Sequence, residues 1–141
     1  MLRALWAKDH ASYHGRFANF DNASSNPKPA QASVPIVIGG HSRAAALRAG
    51  RLGDGFFPGK GSIAELRSLF DFVRQTAADA GRDPSTIEFT AGHPGIFGDD
   101  PLGAVQEMES IGVGRIIVPA FAFFKPSPAE AIAAFAARLH L

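Results

Sequence analysis

Four short apolar segments, each closing on glycine or proline and each followed by a helical pattern, restrict this chain to folds built from strand–helix units. The first is Pro35-Ile36-Val37-Ile38, which runs into Gly39-Gly40. A run that is apolar at every position suits a parallel strand covered on both faces. Ser42 then offers an N-cap, and Ala45, Ala46, Ala49 and Leu52 form the small face of a helix that Gly53 ends. The pattern recurs as strand Gly55-Phe56-Phe57-Pro58 and a long helix from Ser62 to Ala80, with Ile63, Leu66, Phe70, Val73 and Ala77 on one face. Gly81 and Pro84 stop that helix. Strand Ile87–Thr90 with helix Pro101–Ile111, and strand Arg115–Val118 with helix Pro128–Leu139, complete the series. This predicts an α/β fold of four parallel strands alternating with four helices over 35–141, as an open doubly wound sheet or as part of a closed barrel. Ahead of it, residues 1–34 carry a helical pattern at Leu2, Leu5 and Trp6, and a Pro/Ser/Asn-rich stretch begins at Asp21. They read as an irregular N-terminal arm on what is overall one domain.

Composition excludes several function classes. With no cysteine in 141 residues there is no disulfide, thiolate metal site, iron–sulfur cluster or cysteine nucleophile, so redox chemistry needs a bound cofactor. A net charge of +1 without a basic stripe argues against nucleic acid and anionic membrane as partners, leaving small molecules. The apolar start meets Lys8, Asp9 and His10 too early for a signal-peptide core, and no apolar run reaches membrane length, so a soluble cytoplasmic chain is expected.

In both architectures ligands bind beyond the carboxyl ends of the strands. The segments there are Gly39-Gly40-His41-Ser42, Pro58-Gly59-Lys60-Gly61, Ala91-Gly92-His93-Pro94-Gly95 and Pro119-Ala120-Phe121. Glycine lets backbone N–H groups approach an anion, and a helix starting after Ser42 adds partial positive charge, so these turns suit a phosphate. Tight strand–helix turns need the same glycines, and both readings stand at this point. Gly55–Lys60 is one residue short of a Walker loop and has Gly61 where Ser or Thr binds magnesium, so an NTPase is rejected. Gly40-His41-Ser42-Arg43-Ala44 sits where a hydrolase nucleophile elbow would, with Asp54 or Asp99 as acid and His93 or His140 as base. His10 and His14 lack metal-ligand spacing, and no metal site is expected. Phe121, Phe123 and Phe124 fit an apolar pocket, an oligomer contact or core packing.

Taken in order, Trp6, Tyr13–Phe17, Pro27–Gln31, Pro35–Gly40, Arg51–Pro58, Ala80-Gly81-Arg82-Asp83-Pro84 and Gly112–Val118 resemble the luciferase-like monooxygenase family over nearly the whole chain. The resemblance implies the later half of a (β/α)8 barrel that uses FMN or the deazaflavin F420. It places Ile38, Gly39, Gly40 and His41 at the cofactor phosphate, with Phe56 and Phe57 close by. Gly59-Lys60-Gly61 also looks like the segment of deazaflavin-dependent glucose-6-phosphate dehydrogenases in which a lysine grips the sugar phosphate, which makes Lys60 a candidate substrate ligand; a surface lysine in a polar turn is the plainer reading. The family's redox ring packs on early strands that this sequence lacks, so no catalytic residue is assigned. The expected function is a shortened or fragmentary flavin- or F420-dependent oxidoreductase or monooxygenase. A catalytically silent half barrel that dimerises or completes a partner, and a serine hydrolase at Ser42, are the alternatives. Apolar outer strands at Ile36–Ile38 and Ile116–Val118 motivate the homo-oligomer.

Overall fold

Two serines and a string of alanines explain how the chain's main sheet acquires its helical cover. The computed structural model describes residues 1–31, 33–124 and 126–141, and they divide into two compact units, Met1–Pro35 and Ile36–Leu141. In the larger unit, strands β3 (Val37–Gly39), β4 (Gly55–Phe57), β5 (Glu88–Ala91) and β6 (Arg115–Ile116) pair in that order, all parallel. Helices α2 (Arg43–Leu52), α3 (Ile63–Asp79), α4 (Pro101–Ser110) and α5 (Pro128–Arg138) follow them in turn, giving (βα)4, a half barrel. Ser42 caps α2 by accepting from the Ala45 amide at 3.2 Å. Ser62 and Glu65 form a reciprocal capping box on α3. The Glu65 carboxyl is held below its ordinary range by accepting from the Ser62 amide and hydroxyl, so this support is present above the usual glutamate pKa and is lost as pH falls through the lowered one.

Ala45, Ala46 and Ala49 are buried, and with Leu66, Phe70, Val73 and Ala77 of α3 and Phe56 and Phe89 of the sheet they make the core. Small residues on α2 let it lie close to α3. Side chains alternate along each strand: Ile38, Phe56, Phe89 and Ile116 turn toward the helices. Val37, Gly39, Phe57, Glu88, Arg115 and Ile117 therefore belong to the opposite face. There Arg115 pairs with Glu88 at 2.8 Å, while Val37 and Ile117 are 48% and 42% exposed. The last strand is shorter than the sequence suggests. The Ile117 amide still reaches the Ala91 carbonyl at 2.9 Å, but Pro119 has no N–H with which to continue the ladder.

The Gly81-Arg82-Asp83-Pro84 turn is a structural device. Gly81 takes φ +70° beyond α3, and Asp83 accepts from the Ser85 amide to start a 3₁₀ turn, Pro84–Thr86. Between them Arg82 donates to the carbonyls of Ala49, Gly50 and Gly53 at 3.3, 2.6 and 2.6 Å, closing the C-terminus of α2. Arg82→Ala is expected to cost about 2 kcal/mol, the scale for losing hydrogen bonds from a charged donor. Arg82→Lys keeps the charge without the fork and should recover only part, as thermal melts of the three proteins would read.

The smaller unit corrects the expectation of an irregular arm. Helix α1 (Leu2–Ala7) covers the predicted pattern, but β1 (Ala11–His14) and β2 (Asn19–Ala23) then form an antiparallel hairpin. Tyr13 stacks on Phe20 with ring centroids 6.0 Å apart, and the Gly15 amide donates to the Ala18 carbonyl in the turn. Lys28 ties the Pro-rich stretch down by donating to the carbonyls of Leu5 and Lys8 at 2.9 and 2.6 Å.

Candidate functional site

Because the four strands run parallel, the turns holding Gly39, Gly59 and Gly92 all leave one rim of the sheet. Two clefts open there. An inner one of 410 Å³ lies across the tips of β4, β5 and β6, lined by Phe57, Gly59, Lys60, Gly92 and Ile117. An outer one of 590 Å³ lies where α2 and α3 begin, lined by His41, Arg43, Lys60, Glu65 and Ser68. Lys60 belongs to both.

The nominated residues divide by direction. Gly40 has φ +120°, a conformation side chains resist, and its amide donates to the Phe57 carbonyl at 3.1 Å. That N–H is committed to the sheet, so the amides able to meet an anion here are those following it. Arg43 and Ala44 open α2, where helix geometry leaves the first N–H groups without an internal partner. A Cβ built on Gly39 meets nothing within 4 Å, so space is open above that backbone. His41 is exposed beside the outer cleft, and Ile38 turns half-buried toward the helices. Phe56 and Phe57 both stand at the end of β4. The Phe56 side chain is fully buried, edge-on to Phe70 at 6.3 Å, whereas Phe57 lines the inner cleft.

The groups proposed for a hydrolase do other work. Ser42 Oγ is the α2 cap, and Asp54 Oδ2 accepts from the Ile36 amide at 2.8 Å. His93 Nδ1 accepts from the Gly95 amide at 3.0 Å, which leaves the proton on Nε2 facing Glu107, also at 3.0 Å. Asp99 is exposed ahead of α4, and His140 lies exposed beyond α5. Among the described residues none supplies Ser42 with a base. Among the described residues no group of three or more His, Asp or Glu could hold a metal, and no helix is long and apolar enough to cross a membrane. Of the three late phenylalanines, Phe123 packs against Phe97 and Phe135 at 6.2 and 5.3 Å, while Phe121 and Phe124 are exposed.

Sequence reasoning did not single out Arg43, which lines the outer cleft. A signal was available: a cation in the first turn of a helix opposes the helix dipole, and α2 has no acid there to offset it. The guanidinium lies over the Phe72 ring at 3.8 Å and has no carboxylate partner among the described residues.

The family model described as luciferase-like monooxygenase matches residues 1–139. The chain belongs to this family. As a luciferase-like protein it is 36% identical over 81 residues to an FMNH2-dependent dimethylsulfone monooxygenase of Pseudomonas putida, covering 57% of this chain and 22% of the relative. It is 31% identical over 90 residues to an F420-dependent glucose-6-phosphate dehydrogenase of Segniliparus rotundus, covering 62% of this chain and 27% of that enzyme. The chain thus spans about a quarter of the length of these curated relatives. The solved coenzyme F420-dependent tetrahydromethanopterin reductase of Methanopyrus kandleri superimposes with a TM-score of 0.70 at 13% identity, over 92% of this chain and 57% of that one. That likeness fixes the fold: the luciferase-like neighbours are TIM barrels, and this chain covers part of one.

Proposed function

We propose that this chain is the cofactor-phosphate half of a flavin- or deazaflavin-dependent oxidoreductase or monooxygenase, with Ile38, Gly39, Gly40 and His41 beside the phosphate and Phe57 near it. The observation that carries the reading is the sequence of features at the tip of β3. A bare glycine backbone with open space above it leads directly into the unpartnered first amides of α2. These residues fit a phosphate: Gly39 sets no side chain in its way, the opening amides of α2 aim partial positive charge at it, and Ser42 fixes where the helix starts. When bound, a flavin or deazaflavin supplies hydride transfer or oxygen activation at its ring, and this chain's part is to hold the tail in position.

Titration of the folded chain with FMN and with F420, followed by cofactor fluorescence, tests this. Saturable binding of at least one is expected. Gly39→Val should leave the melting temperature unchanged, since its side chain enters open space, yet weaken binding about tenfold, the equivalent of one lost charge-assisted hydrogen bond. Absence of saturable binding in a folded sample overturns the reading.

The open sheet face supports a second reading, that the half barrel works against another copy or a complementary half. Val37 and Ile117 are large apolar side chains half-exposed on it, and β3 and β6 are the outer strands. Sedimentation is expected to give a dimer. A stable soluble monomer removes this reading.

A further inference from the structure

His93 closes the turn that follows β5 through both of its ring nitrogens. Nδ1 accepts from the Gly95 amide at 3.0 Å, and Nε2 meets the Glu107 carboxylate of α4 at 3.0 Å. The seat is tight: a Cβ built on Gly95 would lie 2.9 Å from both Cε1 and Nδ1 of the ring, so a glycine here lets the imidazole lie over the backbone. The His93 side chain is still 17% exposed, so water reaches it. The turn it caps, Pro94–Phe97, buries Ile96 and sets Phe97 against the rings of Phe123 and Phe135 at 6.2 and 5.5 Å. On the sheet side of the same turn, Gly92 and Pro94 form part of the wall of the inner cleft.

A neutral ring satisfies this arrangement and a protonated one does not. Nδ1 accepts only while it carries no proton, whereas the imidazolium has N–H groups at both positions and would aim one of them at the Gly95 N–H. Nε2 keeps its partner throughout, because it donates to Glu107 in either state. From this we infer that His93 is a proton-operated latch: the neutral imidazole locks the turn beside the inner cleft, and protonation releases the Gly95 amide while the ring stays moored to α4. The other charged groups around the turn have separate engagements. Asp100 caps α4 by accepting from the Gly103 amide at 2.8 Å, Asp99 is exposed, Arg138 of α5 donates to the Gly98 carbonyl, and Lys60 lines the inner cleft from the β4 turn. Acid therefore loosens one wall of the inner cleft, whatever that cleft binds.

Proton–nitrogen NMR of the labelled, folded chain tests this between about pH 8 and about pH 5, the range in which imidazoles ordinarily change charge. The ring nitrogens of His93 and the Gly95 amide are expected to change along one curve. Hydrogen exchange at Gly95, corrected for the intrinsic pH dependence of amide exchange, should lose about fivefold of its protection as the ring protonates, the equivalent of one ordinary hydrogen bond. His93→Asn keeps a short acceptor on the same extended backbone but does not titrate, so its Gly95 amide should stay protected across the whole range. A Gly95 amide that stays unchanged while His93 titrates overturns the latch. So does a His93 ring that remains neutral to the acid end of the range, and so does an Asn variant whose Gly95 amide follows pH as the parent's does.

Discussion

Phe70→Ala is expected to destabilise the larger unit by about 3–5 kcal/mol, the range for deleting a buried aromatic ring whose site cannot collapse. Phe70 is fully buried at the middle of α3. Its ring stacks on Phe89 of β5 with centroids 4.4 Å apart and meets Phe56 of β4 edge-on at 6.3 Å. One side chain therefore locks the longest helix to the two central strands. The alanine variant leaves a void that rigid strands cannot fill, and a domain of this size has only about 5–15 kcal/mol in total. Urea denaturation should show a much lower midpoint with an unchanged slope. Phe70→Leu, which keeps most of the volume, should lose far less. A midpoint shift equivalent to less than about 1 kcal/mol for the alanine variant would mean that α3 does not seat on the sheet in this way. Because β4 carries the turn with Gly59 and Lys60, weaker cofactor binding should accompany the loss.

The alternation of strands and helices was readable because α2, α3 and α4 announce their own starts and α2 and α3 their own ends. Ser42, Ser62 and Asp100 accept from amides in the first turn, and Gly53 and Gly81 follow the last. Such signals are local, and local chemistry survives in a linear text. The hairpin of β1 and β2 was not readable: Ala-Ser-Tyr-His alternates but is only four residues long, Asn-Phe-Asp-Asn-Ala alternates poorly, and the register slips between Ala11 and Tyr13. The direction of Phe56 against Phe57 was equally hidden. Strands three residues long with apolar residues at both positions give no phase from which to assign faces, and only the helices packed on Phe56 decide it.

The turn at the tip of β3 was legible through Gly40, whose φ of +120° a side chain would resist. What each polar group does there was not. Gly40 and His93 both appear available in the sequence, yet one amide is bound to Phe57 and both ring nitrogens of the other are engaged. Arg43 appears as an ordinary surface cation until its place at the start of α2 and over Phe72 is known. Commitment of a hydrogen-bonding group depends on partners distant in sequence, and spacing carries no record of them.

Gly50→Ala is the substitution in which helix propensity and packing oppose each other most directly. Within an exposed helix the change would gain up to about 1 kcal/mol. Here Gly50 faces α3, and an added Cβ would lie 2.6 Å from Thr76 Cβ and 2.7 Å from the Val73 carbonyl oxygen. Neither neighbour is the free end of a flexible side chain, so α2 as a whole must move. Overpacking of this kind costs about 1–3 kcal/mol or more, and a net loss near 2 kcal/mol is expected once propensity is subtracted. Thr76→Ser in the same chain removes Cγ2 at 2.8 Å but leaves the two closer contacts, so rescue should be slight. The displacement also reaches the site: α2 and α3 are the two walls of the outer cleft, and separating them moves Arg43 away from Lys60. A Gly50→Ala protein that melts higher than the parent would show that the helices stand farther apart than this contact requires.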